Sequence, residues 1–88
     1  MNKYFVEFAG TLFFLYVILA TGKALPIGLA LIVAIMVGGK ISGGNFNPAV
    51  SVMMAAAGKL PMEDVLPYVV AQIAGGLVAF ELYKRVRV

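Results

Sequence analysis

The chain has 88 residues, a net charge of +3 and 62% hydrophobic side chains, with a mean hydropathy of +1.00. A water-soluble domain uses about 45–50% apolar residues, so this composition predicts an integral membrane protein. No Cys and no His are present, which removes disulfides, thiolate nucleophiles, zinc sites and imidazole bases. No enzyme activity and no cofactor are expected, and the basic residues end apolar runs without forming a face that could follow a nucleic acid.

Charges divide the chain into four nearly charge-free runs: 8–22, 24–39, 41–58 and 65–80. The first predicts helix 1 over 4–21, and the second predicts helix 2 over 26–37. A cleavable leader ending at Ala20-Thr21-Gly22 is disfavoured, because Glu7 interrupts its apolar core. The third run is different, since it opens with Ser42-Gly43-Gly44-Asn45 and carries Asn47-Pro48 soon after. Such backbone must face protein or water and not lipid. Asn47 suits an N-cap and Pro48 the first helical position, so 41–57 reads as a re-entrant loop followed by a half-helix starting in mid-membrane. The fourth run predicts helix 3 over 65–83. The whole is an all-α membrane protein with three transmembrane helices and one re-entrant half-helix, a single unit over 1–88.

Small residues at Ala30-Ala34-Gly38 and Ala71-Gly75-Ala79 predict close helix contacts. Tyr4, Phe5, Tyr68 and Tyr83 fall where an interfacial aromatic belt is expected. Glu81 has Lys84 and Arg85 at helical spacing and reads as an interfacial ion pair. Glu7 lies in or near the apolar zone, where a charge costs on the order of 2.5–3.5 kcal/mol, so it needs a partner or must reach the near interface. Lys40 is followed by Ile41 and not by Ser or Thr, so the glycines around it do not make a phosphate loop.

Asn47 is the strongest candidate for function. Its amide offers N–H donors while its carbonyl is held by neighbouring backbone. The helix start adds about half an elementary positive charge at the same point. With a given N-terminal side, Lys3, Lys40 and Lys59 fall together and Lys23, Lys84, Arg85 and Arg87 fall opposite, so the orienting bias is nearly nil. An odd number of spans with so little bias permits insertion both ways up.

The run Gly39-Lys40-Ile41-Ser42-Gly43-Gly44-Asn45-Phe46-Asn47-Pro48-Ala49-Val50 closely resembles the first signature loop of the aquaporin and aquaglyceroporin (major intrinsic protein) family. Glu7-Phe8-Ala9-Gly10-Thr11 and Tyr68-Val69-Val70-Ala71-Gln72-Ile73-Ala74-Gly75-Gly76 resemble that family's first- and third-helix patterns. Family members fuse two such three-helix halves in opposite orientation, so the resemblance implies half of an aquaporin-like inverted repeat. It implies a passive channel for water or small uncharged solutes such as glycerol, made by two identical chains paired antiparallel, with four such pairs clustering. A plasma or inner membrane is the expected host.

The same resemblance implies site residues. Asn47, Pro48 and Ala49 would face the pore. Ile27 from one copy, with Ile35, Val50 and the Gly44 carbonyl from the other, would line the constriction. Val50 stands where the family usually carries a filter arginine after its second motif, so the constriction is expected to be apolar and to separate water from glycerol less sharply. Glu7 and Gln72 would hold Gly43 to Asn45 in shape. Lys40 and Asn45 replace residues that are commonly histidine in similar sequences; Lys40 suits a cation-repelling pore mouth or a snorkelling anchor. Two other readings stay open: a dual-topology exporter similar to small multidrug-resistance transporters and coupled through Glu7, or a non-conducting half that needs a different second half.

Overall fold

Asn2 starts the first helix, its side-chain oxygen accepting the N–H groups of Tyr4 and Phe5 at 2.7 and 3.1 Å. In this computed structural model, which describes residues 2–86, α1 spans Lys3–Thr21 and ends at Gly22, whose φ of 62° is the left-handed conformation that glycine adopts freely. Next come α2 (Ala24–Ser42), α3 (Pro48–Ala56) and α4 (Met62–Val86). α1 and α2 have 19 residues each, about 28 Å of helix, and α4 has 25, about 37 Å. All three are long and apolar enough to cross a membrane whose hydrocarbon core is about 30 Å thick. α3, with nine residues, is about 13 Å long and cannot.

Two spanning helices are longer than their sequences suggest. Helix 2 was expected to stop at Val37 before Gly38-Gly39, but α2 continues through both glycines to Ser42. In lipid an unpaired backbone group costs more than the roughly 1 kcal/mol lost by each helical glycine, so the helix persists until Gly43. Gly43 has φ 93° and returns its N–H to the Gly39 carbonyl at 2.8 Å. Ile41 and Ser42, expected in the loop, therefore belong to the helix. The N-terminal end also lies earlier than Pro26, because a proline is tolerated in the first turn, where its missing N–H has no intrahelical partner. Helix 3 was expected over 65–83, yet α4 begins at Met62, with Glu63 and Asp64 in a first turn that favours negative charge. It contains Pro67 and continues past Tyr83 to Val86, where Glu81 pairs with Lys84 and Arg85 at 3.3 Å each. Arg87, counted above among the C-terminal basic residues, lies outside the described residues.

α1 packs against both α2 and α4, while α3 packs among the helices on α4 alone. On α2 the buried residues are Ala30, Ala34, Gly38 and Ser42, one stripe at four-residue spacing. On α4 the stripe is Asp64, Tyr68, Gln72, Gly75 and Ala79, with Ala71 only half-buried at its edge. Gly75 permits the closest approach: a Cβ there would lie 2.6 Å from the Phe8 carbonyl oxygen and 3.1 Å from the Leu12 nitrogen of α1.

Tyr68 is not a belt residue, and Tyr4, half-buried at the start of α1, turns its hydroxyl towards the protein. Tyr68 is 1% exposed, meets Tyr4 edge-on with ring centroids 5.9 Å apart, and donates to the Ser42 carbonyl at 2.6 Å. Tyr4 donates to Asp64 at 2.6 Å, and Lys3 pairs with the other Asp64 oxygen at 2.7 Å. The polar ends of these tyrosines find partners inside the protein, which outweighs their interfacial preference and fixes the starts of α1 and α4 to the end of α2.

The approach at Gly75 is testable. Gly75→Ala should destabilise the chain by about 1–3 kcal/mol, since its methyl meets rigid backbone. Gly28→Ala, where an added Cβ meets nothing within 4 Å, should be neutral or gain up to about 1 kcal/mol. Unfolding of the purified chain in mixed micelles by SDS titration, followed by circular dichroism, measures both; equal midpoints for the two variants would contradict the packing.

Candidate functional site

The segment between α2 and α3 turns back into the protein through three residues of positive φ: Gly43 (93°), Gly44 (66°) and Phe46 (55°). Phe46 is the only non-glycine there among the described residues, a conformation costing on the order of 1–3 kcal/mol for a bulky side chain. What holds the loop against that cost is Glu7, which is fully buried one turn inside α1. Its carboxylate accepts four hydrogen bonds: Ser42 Oγ at 2.7 Å, Asn45 N at 3.1 Å, Phe46 N at 2.8 Å and Gln72 Nε2 at 2.8 Å. Four donors replace the water that a buried carboxylate loses, and two of them are loop amides with no other use.

The network continues into the half-helix. Gln72 Nε2 also donates to Ser51 Oγ at 2.7 Å, and Asn45 Nδ2 donates to the same oxygen at 2.9 Å. One set of contacts thus joins α1 (Glu7), α2 (Ser42), the loop (Asn45, Phe46), α3 (Ser51) and α4 (Gln72). The Glu7 grip differs in register from the expectation that it holds Gly43 to Asn45. Gly43 spends its N–H capping α2, and Gly44 donates to Ser42 Oγ at 3.2 Å, so the carboxylate takes the next two amides.

Asn47 has extended backbone, φ −163° and ψ 126°, and its Oδ1 accepts the Ala49 N–H at 2.8 Å. This fixes the amide orientation and leaves Nδ2 with no partner among the described residues. Asn47 and Ala49 are exposed in the single chain, and Pro48 and Val50 are half-buried. Ile35 of α2 is exposed and comes up to Gly44, its Cγ1 lying 3.4 Å from where a Gly44 Cβ would stand. Ile27 is about 12 Å further along α2 and does not join this group within one chain. Lys40 is exposed at the end of α2.

Beyond the Asn47–Pro48 tip lies a cavity of about 480 Å³, walled by Phe14, Leu15 and Ile18 of α1 and Gly76, Leu77 and Phe80 of α4. Thr11 and Gln72 also line it, and Thr11 Oγ1 and Gln72 Oε1 are buried polar atoms with no hydrogen-bond partner among the described residues. No group of His, Cys, Asp and Glu that could hold a metal occurs among the described residues.

Sequence reasoning did not single out Ser42, Ser51, Phe46, Thr11 or Asp64. Ser51 lies one turn after Asn47, which is a weak signal for a hydroxyl on the inner face of the half-helix. Asp64 served only to divide apolar runs.

Replacing the carboxylate tests the brace. Glu7→Gln substitutes a group that must itself donate, so at least one of the four donors loses its acceptor, at about 1–3 kcal/mol for each group left unpaired. Amide exchange at Asn45 and Phe46 should accelerate while exchange in the middle of α1 stays slow. Unchanged protection of the two loop amides would refute the role of Glu7.

Comparison with known proteins agrees with this architecture. A family model described as Major intrinsic protein matches residues 21–88. The glycerol uptake facilitator protein-like 6 of Lactiplantibacillus plantarum is 42% identical over 88 residues, covering 90% of this chain and 41% of the relative. Aquaporin Z of Brucella melitensis biotype 1 is 39% identical over 94 residues, again 90% of this chain and 41% of the relative. The chain thus spans about two fifths of the length of these curated relatives. On the family match and the three apolar helices with their shorter fourth, the chain is an integral membrane protein belonging to the major intrinsic protein family.

Proposed function

We propose that the chain forms a passive channel for water and small uncharged solutes such as glycerol, built by antiparallel pairing of two identical copies in a plasma or inner membrane. The observation that carries this reading is the exposed tip of α3. A helix start with an oriented, unpartnered amide donor at Asn47 faces an open cavity in mid-protein, flanked by two buried oxygens without partners. A second copy, inverted about an axis in the membrane plane, has its own half-helix to place in that cavity, tip towards tip. The names of the relatives, a glycerol uptake facilitator-like protein and an aquaporin, support the solute class.

In such a pair the two Asn47 amides offer donors at one level, and a solute oxygen exchanges one neighbour's hydrogen bond for theirs at little cost. The two helix starts each contribute about half a positive charge at the same level. Facing positive ends repel cations and protons, as is general for aquaporin-type pores. The constriction proposed from Ile27 of one copy with Ile35, Val50 and the Gly44 carbonyl of the other contains no charged side chain, so it selects by size. Four pairs could cluster further through the exposed apolar faces.

An exporter coupled through Glu7 has no support in the geometry. Its carboxylate is buried and engaged by four donors, which suits a brace and leaves no face for a substrate.

Stopped-flow osmotic shrinkage of vesicles holding only this chain tests the proposal. Water and glycerol should both pass without saturation and without dependence on a proton gradient. No flux from the chain alone would reject the homodimer and favour a half that needs a different second half. Asn47→Asp keeps the cap but adds negative charge at the tip, so it should admit cations; a cation leak no larger than in the parent would count against the tip's role. Labelling of Asn2→Cys and Lys84→Cys from either side should find each position accessible from both sides in comparable amounts, as nearly balanced flanking charge implies. A single orientation would end the antiparallel reading.

A further inference from the structure

We propose that Phe46 is a wedge that sets how far the half-helix tip stands from the seam of α1 and α2, and so tunes which solutes pass; this rests on the channel reading above.

Phe46 sits between the Glu7-held amides and Asn47. Its N–H is taken by Glu7, while its ring points into a notch between α1 and α2 and is 1% exposed. The notch is made by absent side chains. A Cβ on Gly10 would lie 2.7 Å from both Cδ1 and Cζ of the ring and closer still to Cε1, and a Cβ on Gly38 would lie 3.3 Å from Cζ. Val6 and Ala34 complete the contact. The ring therefore packs tightly against Gly10 and Gly38, with a cavity of about 360 Å³ on its far side towards Phe13 and Val37.

The position matters because the loop is one of the two links that set this distance. α3 packs on α4, where Ser51 meets Gln72, but on neither α1 nor α2, so its lateral placement against Ile35 of α2 is transmitted through α4 on one side and through the loop on the other. Glu7 fixes the loop's amides, and the depth of the Phe46 ring fixes where the chain emerges into Asn47. The left-handed backbone at Phe46 is what allows the N–H and the ring to be held by different neighbours at once. Phe46 is thus a positioning residue, acting through Asn47 and the gap to Ile35.

A size-complementation series tests this. Gly10→Ala adds a methyl where the ring lies and should drive the ring out of the notch. Phe46→Leu should let the tip sink towards the seam, and the double variant should restore the parent geometry. Read as the glycerol-to-water permeability ratio in vesicles, the two single variants should shift in opposite directions by about tenfold, the low end of what one methyl group does in a fitted apolar site. The double variant should return towards the parent. Should Gly10→Ala fail to insert, Phe46→Met and Phe46→Leu carry the comparison, with the ratio following side-chain volume.

A core-filling role alone would lower the amount of folded protein and leave the ratio unmoved, and that result would overturn the proposal. A second readout does not need flux. Spin labels at Ile32 on α2 and Val52 on α3, both exposed, diluted with unlabelled chain, should report a mean distance about 1 Å longer in Gly10→Ala, the scale of the overlap to be relieved, and reversal in the double variant. If the parent conducts nothing, the channel reading fails while these distances still decide the wedge; unchanged distances would sink it.

Discussion

A carboxylate buried in a membrane protein without a cation beside it must be surrounded by donors, because nothing else replaces the water it has lost. Glu7 meets that demand with Ser42, Asn45, Phe46 and Gln72, and in doing so solves the converse problem of the loop. Residues 43–47 leave helical geometry inside the protein, so their amides have lost their helical acceptors where no lipid group can replace them. Charge and orphan amides satisfy each other. Because the donors come from α2, the loop and α4, the same four bonds set the mutual position of the spanning helices. Ser51, reached through Gln72 and Asn45, brings α3 into the same frame.

The half-helix follows from this arrangement. With Asn45 and Phe46 fixed, Asn47 is left extended and caps the next turn with its own Oδ1, and Pro48 starts a helix that needs no N–H there. The helix begins beside the middle of α1, near Thr11 and Phe14, and its nine residues return to the side from which the loop entered. Half of the thickness is thus left unfilled ahead of the tip. The partnerless Thr11 Oγ1 and Gln72 Oε1 lie on that side, so the unfilled space is bordered by polar atoms as well as apolar walls. Polar groups around Glu7 are thus satisfied, whereas Thr11 Oγ1 and Gln72 Oε1, ahead of the tip, have no partner among the described residues.

Much of this was legible in the sequence, and the parts that were not have identifiable reasons. Asn47-Pro48 announced a helix start because cap and proline act locally, within three residues. The helix ends were less legible: helix 2 was expected to end at Val37, yet the cost of leaving backbone unpaired in lipid exceeds the cost of two helical glycines at Gly38 and Gly39. Glu63 and Asp64 read as the edge of a span, whereas a dipole-compatible first turn and the Lys3 and Tyr4 contacts let Asp64 sit inside. Tyr68 read as an interfacial anchor because its buried partner, the Ser42 carbonyl, is 26 residues away. Which amides Glu7 holds depends on where α2 stops: with Gly43 capping the helix and Gly44 turned to Ser42, the carboxylate meets Asn45 and Phe46. Phe46 was invisible for a related reason: its ring is specified by Gly10 and Gly38, and a hole made of missing side chains leaves no local pattern.

The proposed pairing of identical chains also bears on the constriction. A two-fold axis in the membrane plane gives every residue a mate at the same depth on the opposite side. No group can then stand at one mouth only. A cationic filter after one signature motif and a neutral residue after the other, which a fused two-half protein can encode separately, is closed to a pore made from one sequence. An arginine at position 50 would appear twice, placing two desolvated cations on one narrow path beside two helix starts that are already positive. Val50 is the choice compatible with symmetry, because an apolar residue can be duplicated at no electrostatic cost. Exclusion of ions would then rest on the facing helix starts at Asn47, while selection by size would rest on the gap between the loop and α2.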